Sequence, residues 1–403
     1  FEREGTTAGS VLRARSAFNR PELRARVPRV THKLYWDDPH ADAFDARVVA
    51  HGDLEGRPSV ILEATLFYPE AGGQMADWGT LGGAPVRDVQ VDAEGRIHHV
   101  VDELPAVGSL LAGRIDRSRR REHMALHTGQ HMLSRALLDL GKAPTVSSRL
   151  GESGATLDVD RVLSAKTLAA VEARVNEVVD EHRPVRALHP TATELEAMDL
   201  RRAPKVEGAI RIIEVEGFDL TPCGGTHCTD TAQVGWLRIT DAVKHRGGQR
   251  LTFVAGPRTR RVLAAESESL RALAARFTCG VGDVAGAIDK LERELGEARE
   301  ALGATRAAYA AAQAASFTGD PLVATLDADV ATLRALAAEA AVGRSLVVLS
   351  APVGDAFHVV VARGADSPHD CGALFRRLTE TCGGRGGGRP ERAEGRMERA
   401  PTP

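Results

Sequence analysis

The stretch HTGQHMLSRALLDLG, residues 127–141, determines how the middle of this chain folds, and PCGGTH, residues 222–227, completes it. His127 and His131 are four positions apart, so on a helix both imidazoles project from one face. Cys223 and His227 repeat this spacing much later in the chain. Three imidazoles and a thiolate are the nitrogen and sulfur donors that zinc takes in tetrahedral sites. The sequence therefore predicts a zinc site with His127, His131, Cys223 and His227 as ligands.

The spacing leaves the role of the predicted zinc open. Four protein ligands are typical of a structural zinc, whereas a catalytic zinc keeps one position for water or substrate. If His227 stands back, the site is of the second kind. A metalloprotease is excluded, because its glutamate would directly follow the first histidine and position 128 is threonine.

The segments around these motifs indicate an α+β domain over residues 116–262. Apolar residues at helical spacing predict a helix over 122–140, ended by Gly141. A second helix is predicted over about 165–182, with strands near 145–150, 154–160, 211–215 and 251–254. We expect the metal at the junction of helix and sheet.

The N-terminal part has a different pattern of apolar residues. Residues 31–115 consist of short apolar runs broken by Gly, Asp and Pro, which predicts a small β-barrel, and FYPEAGGQ lies in a turn between strands. Residues 1–30 lack an apolar signal core and are predicted to be a disordered extension.

The C-terminal part is predicted to be a helical arm over residues 263–312, followed by an α/β domain over 313–403. Leu291, Leu295, Leu302 and Tyr309 follow a short heptad pattern, which fits either a dimer contact or a surface helix. The last domain ends in the glycine-rich tail GGRGGGRPE, residues 383–391.

Composition bounds the function only loosely. A net charge of −3 does not indicate a nucleic-acid binder, although arginines cluster before HTGQH and near the C-terminus. Five cysteines without a disulfide framework favour the cytoplasm, and no apolar run is long enough to span a membrane.

Four motifs together, FYPEAGGQMADWGTL, HTGQHMLSRAL, EVEGFDLTPCGGTH and the tail, resemble the long AlaX-type alanyl-tRNA editing proteins. The resemblance covers about residues 31–397. It implies an editing domain like the second additional domain of the synthetases and a C-terminal DHHA1 domain. Relation to a synthetase also suggests nucleotide and ATP binding, although the chain supplies no ATP-binding strands of a synthetase catalytic domain. The chain departs from the family pattern at Ala71, Met75, Ser148-Arg149 and Glu394, none of them in the metal set.

The resemblance implies a free-standing, zinc-assisted hydrolase that deacylates tRNA(Ala) mischarged with serine or glycine. Gly224 and Gly225 would offer backbone N–H groups to the reacting ester. Thr145, Ser147 and Gln74 would contact the substrate, with Ser147 preferred as the reader of the serine hydroxyl. Arg385 and Arg389 would bind tRNA, and the arm or last domain could form a homodimer. The alternative is a tRNA-binding module with a purely structural zinc.

Overall fold

The computed structural model describes residues 31–402 except 153, 205–207 and 209, and it divides into two compact units, Phe1–Ser267 and Glu268–Pro403. The predicted disordered extension, residues 1–30, lies outside the described residues. No helix in the described part is both long and apolar enough to cross a membrane.

The first unit begins with a seven-stranded antiparallel sheet in the order β6-β5-β9-β2-β3-β8-β7. Alternating residues such as Ala46 and Val48 on β2 point into its core, as the period-two pattern predicted. Among the described residues no ladder joins the edge strands β6 and β7, so closure into a barrel stays a prediction. The elements are β1 (His32–Lys33), α1 (Leu34–Asp37), β2 (Ala43–Leu54), β3 (Arg57–Leu62), β4 (Ala64–Thr65), β5 (Gly79–Leu81), β6 (Ala84–Val86), β7 (Val89–Val91), β8 (Ile97–Val100) and β9 (Leu110–Ile115).

The same unit continues with helices packed on a four-stranded sheet, β10-β11-β16-β15, and with a three-stranded sheet, β12-β13-β14. The α+β class predicted for this region is confirmed. The elements are α2 (Arg117–Gly141), β10 (Thr145–Leu150), β11 (Ala155–Val159), α3 (Ala165–Asp180), β12 (Val185–Leu188), α4 (Ala192–Ala197), β13 (Ile212–Val215), β14 (Asp219–Pro222), β15 (Leu237–His245) and β16 (Gly248–Ala255).

Helix α2 carries the first motif and has defined ends. The Asp116 carboxylate accepts hydrogen bonds from the N–H groups of Ser118 and Arg119, which satisfies donors of the first turn. At the other end Lys142, at φ 50°, takes the left-handed position, whereas we predicted Gly141 there. Gly141 is instead the last helical residue, where a Cβ would come within 3.1 Å of the Leu163 side chain. The glycine therefore serves packing rather than capping.

The second unit contains a five-stranded sheet, β17-β18-β19-β21-β20, parallel between β17 and β18 and antiparallel elsewhere. One apolar cluster joins the end of α6 and helix α7 to the sheet, and another joins helix α8 to it. This agrees with an α/β domain; its DHHA1 identity stays a prediction. The remaining elements are α5 (Pro257–Phe277), α6 (Val284–Ser316), β17 (Leu322–Thr325), α7 (Val330–Ala341), β18 (Val347–Val353), β19 (Ala356–Ala362), α8 (Cys371–Cys382), β20 (Gly384–Arg389) and β21 (Arg392–Met397).

The predicted helical arm corresponds to α5 and the long helix α6. The heptad side chains of α6 are about half exposed, for example 52% at Leu291 and 51% at Tyr309. Such an exposed apolar stripe suits contact with a partner helix. Within the described residues no helix covers it, so the predicted homodimer stays a prediction.

Candidate metal centre

The four predicted ligands meet at one point. His127 and His131 come from the middle of α2, while Cys223 and His227 follow β14 directly, and their ligand atoms all lie within 4.8 Å of one another. The Cys223 Sγ lies 3.4 Å from His127 Nε2 and 3.3 Å from His227 Nε2. Two distant parts of the sequence thus form one compact donor set.

Two of the three ring nitrogens that face away from the cluster meet a polar group. His127 Nδ1 lies 2.7 Å from Gln74 Oε1, and His227 Nδ1 lies 3.2 Å from Thr128 Oγ1. His131 Nδ1 is 3.7 Å from an Asp219 carboxylate oxygen, too far for a hydrogen bond. Metal-binding histidines usually direct their second nitrogen to such partners, which fixes the ring orientation.

Burial sets the protonation of the donors. Desolvation lowers the pKa of His127 to about 3 and holds the pKa values of His131 and His227 well below the usual range. The imidazoles are therefore neutral at pH 7, as metal ligands must be. Burial raises the pKa of the Cys223 thiol, while Arg211 opposes that shift. A bound cation would favour the thiolate and release its proton.

The donor set fits zinc better than calcium or magnesium. It consists of three nitrogens and one sulfur, whereas calcium and magnesium prefer oxygen ligands. Within the described residues this is the one group of histidine, cysteine and acidic side chains arranged to hold a metal ion.

The Cys-Gly-Gly turn is shaped by close approach to His127. A Cβ on Gly225 would fall 2.2 Å from His127 Cε1, so only glycine fits there. The Gly225 N–H lies 3.5 Å from Cys223 Sγ and points to the sulfur rather than to a substrate. Gly224 is more open, since a Cβ there would have the Trp36 ring, 3.9 Å away, as its nearest neighbour. The ester contacts predicted for Gly224 and Gly225 stay predictions.

A cleft of about 430 Å³ opens beside the ligands. It lies between the N-terminal sheet and the helical domain, both within the first unit. Its wall includes two metal ligands, His127 and Cys223, together with Gln130, Ser148 and the two glycines of the turn. A molecule bound in this cleft would lie beside His127 and Cys223.

The strand after α2 presents different hydroxyls than predicted. A β-bulge lies between Thr145, which pairs with Val159, and Ser147, which pairs with Asp158. Paired residues share a sheet face, so Ser147 lies on the face of Asp158 and bonds its carboxylate at 2.7 Å. Ser148 instead pairs with the buried Leu157 and lines the cleft.

Ser147 is thus not among the residues that line the cleft, so its role as the hydroxyl reader stays a prediction beside the cleft residue Ser148. Thr145 remains on the helix side and donates to Ser134, which in turn accepts from the cleft residue Gln130. The bulge itself has no signal in the sequence.

Gln74 also has a different place than predicted. It is fully buried, accepts from the Thr226 N–H at 3.1 Å and donates to the Thr226 hydroxyl at 2.8 Å, besides contacting His127. Both polar atoms of its side chain are bonded within the protein. Gln74 therefore supports the candidate metal ligand His127, and its predicted contact with substrate stays a prediction. Asp219, behind His131, was missed, because only the fold brings the start of β14 close to that histidine.

Arg385 and Arg389 lie on β20, the exposed edge strand of the second unit. Both side chains are exposed, and no carboxylate pairs with either among residues that the structure describes. Both are available to a ligand. They belong to the second unit, whereas the candidate metal ligands belong to the first.

Comparison with known proteins relates this chain to the enzymes that charge tRNA with alanine. Residues 210–252 match the family described as the threonyl and alanyl tRNA synthetase second additional domain. The alanine–tRNA ligase of Pyrococcus furiosus is 32% identical over 91% of this chain and 42% of its own length, and that of Thermococcus kodakarensis gives the same three values. The alanine–tRNA ligase of Ignicoccus hospitalis is 32% identical over 66% of this chain and 30% of its own length.

The chain thus spans less than half the length of the curated relatives that it matches. The matches to the Pyrococcus and Thermococcus enzymes nevertheless cover 91% of this chain. The resemblance found in the sequence motifs is confirmed.

Proposed function

Because this chain is an AlaX-like relative of the alanyl-tRNA synthetases, we propose that it hydrolyses the ester of tRNA(Ala) mischarged with serine or glycine. The observation that carries the proposal is the four-donor cluster opening onto a cleft of about 430 Å³. An aminoacyl ester beside its own ammonium group is already activated. The protein need only hold it, orient a water and exclude the correct amino acid.

Different residues of the cleft would hold the ester and distinguish the amino acid. Gly224 offers a backbone N–H near the ligand Cys223, where the ester carbonyl would need a donor. Gln130 and Ser148 are polar groups that a serine side chain could meet, and a polar partner is what distinguishes serine from alanine. A zinc held here would act as a Lewis acid or fix the cleft in shape.

A second candidate is a tRNA-binding module with a structural zinc. It is favoured by the closure of the site, because all four donors are within reach of one ion and none stands back. His227 in particular lies 3.3 Å from the sulfur rather than apart from it. ATP binding forms no part of either proposal, since ester hydrolysis requires no nucleotide.

One assay separates the two candidates. Preformed Ser-tRNA(Ala), Gly-tRNA(Ala) and Ala-tRNA(Ala) are incubated with the metal-loaded chain, and release of the amino acid is followed. We expect release of serine and glycine over alanine, and its loss in Cys223→Ala and His131→Ala together with the metal. Cys279→Ala, which changes a cysteine outside the cluster, serves as the matched control. Absence of release by the metal-loaded chain would favour the binding module. Full metal occupancy in the double variant Cys223→Ala, His131→Ala would contradict the ligand assignment.

A further inference from the structure

Three basic side chains face the cleft beside the metal ligands: Lys33, Arg202 and Arg211. Lys33 Nζ lies 4.1 Å from the centre of the Trp36 ring and Arg211 Cζ lies 5.6 Å from it. Arg202 donates at 3.1 Å to the carbonyl of Pro222, at the end of β14. All three positive charges thus line the same cleft as His127 and Cys223.

No carboxylate balances these charges within the part of the chain that the structure describes. The described lining of the cleft contains neither aspartate nor glutamate. Asp219, which acts on Arg202 at a distance, is bound by Arg201 at 2.8 Å. Arg211 donates to two backbone carbonyls, and its Nε is buried without a partner. Burial accordingly lowers the pKa of all three groups.

Positive side chains that line a cleft whose described residues include no carboxylate favour the binding of an anion there. The aminoacyl end of a tRNA adds a further positive charge, its free amine, and its ester has no carboxylate. The negative group nearest to that ester is the phosphodiester that joins the last two nucleotides. Arginine and lysine are the usual partners of phosphate oxygens.

We propose that Lys33, Arg202 and Arg211 form a phosphate subsite that holds the terminal phosphodiester of the acceptor end while the ester lies at the metal centre. The inference rests on the proposed function for the identity of the nucleic acid. It is independent of Arg385 and Arg389, which lie in the other unit. With this subsite the editing domain would bind the end of the tRNA through its own residues.

The test uses small probes of the terminal nucleotide. Binding of AMP, adenosine and free serine to the metal-loaded full chain is measured by ligand-observed NMR. We expect AMP to bind on the order of tenfold more tightly than adenosine, since only AMP brings the phosphate. Lys33→Gln and Arg202→Gln should each remove most of that difference and leave adenosine binding unchanged. Lys244→Gln, at an exposed position away from the cleft, is the matched control. Arg211 is left intact because it holds the Cys-Gly-Gly turn.

Equal binding of AMP and adenosine would overturn the subsite. Serine that competes with AMP and loses affinity in the same variants would also overturn it, and would assign the cations to the carboxylate of the released amino acid. Deacylation is measured separately. An AMP preference without deacylation rejects the proposed function alone, whereas deacylation without an AMP preference rejects the subsite alone.

Discussion

Gln74 Oε1 lies 2.7 Å from His127 Nδ1, so a side chain from the loop between β4 and β5 fixes the orientation of a candidate metal ligand on α2. The amide oxygen can only accept, which means that His127 carries its proton on Nδ1 and presents a lone pair at Nε2. The loop that supplies Gln74 is itself held in place, since the Leu150 N–H donates to the Gly73 carbonyl at 2.8 Å.

We expect Gln74→Leu to weaken zinc binding by about 10- to 100-fold, because His127 loses the partner that orients its ring. Affinity is measured by competition with a chromogenic chelator. Gln74→Glu keeps an acceptor oxygen and should lose less. Gln90→Leu, on the N-terminal sheet but away from the centre, should bind zinc like the parent chain. Unchanged affinity in Gln74→Leu would show that the His127 ring is held by packing alone.

Recognition of the serine hydroxyl should depend on Ser148 rather than Ser147. Losing one hydrogen bond to an uncharged hydroxyl costs about 0.5–1.5 kcal/mol, so Ser148→Ala should slow serine release from tRNA(Ala) by about three- to tenfold. Glycine release should change little, because glycine has no hydroxyl. Ser147→Ala, on the opposite face, is the control. Equal slowing with both substrates would give Ser148 a structural role.

His99 should make the first unit sensitive to mild acid. It is fully buried between the Thr65 hydroxyl and the Val60 carbonyl, and desolvation lowers its pKa from 6.5 to about 4. The unfolded chain therefore gains a proton first, and stability that is present above pH 6.5 is lost as the pH falls toward 4.

Between pH 7 and 4.5 this linkage amounts to about 2 kcal/mol. We expect His99→Gln to show a correspondingly smaller loss in urea unfolding over that interval, whatever its stability at pH 7. His51→Gln, at an exposed position of the same sheet, should retain the parent's pH dependence. A parallel decline in the His99 variant would place the acid sensitivity elsewhere.

The edge strand β20 should contribute phosphate contacts. In the double variant Arg385→Gln, Arg389→Gln we expect weaker tRNA binding and a plot of log affinity against log salt that is shallower by about 1 to 2. Turnover at saturating tRNA should stay near the parent value, because all metal ligands lie in the first unit. The double variant Lys166→Gln, Lys244→Gln, which removes two exposed positive charges from the first unit, is the matched control. An unchanged slope would leave the second unit with dimer formation through α6 as its predicted role.

The sequence was sufficient for the ligand set because its spacing is local: residues four apart on α2 and four apart around a tight turn. Repeated apolar periods likewise predicted the α+β class. The roles of Gln74, Ser147 and Asp219 depend instead on contacts between distant segments and on one β-bulge, which leaves no pattern in composition or spacing. The cations of the cleft could not be predicted from the sequence either, because only the fold determines which side chains lie beside them.

The dependence of His127 on Gln74 has a practical consequence for anyone dividing this chain into parts. The 43 residues that match the family model, 210–252, contain Cys223 and His227 but neither histidine of α2. A fragment cut from α2 onward would contain all four donors yet lack the amide that aligns one of them. A fragment that brings this ligand support must therefore also include Gln74, and the first unit, which ends at Ser267, does so. A grafting or minimisation effort that starts from the recognisable motif alone would transfer the pattern without its metal chemistry.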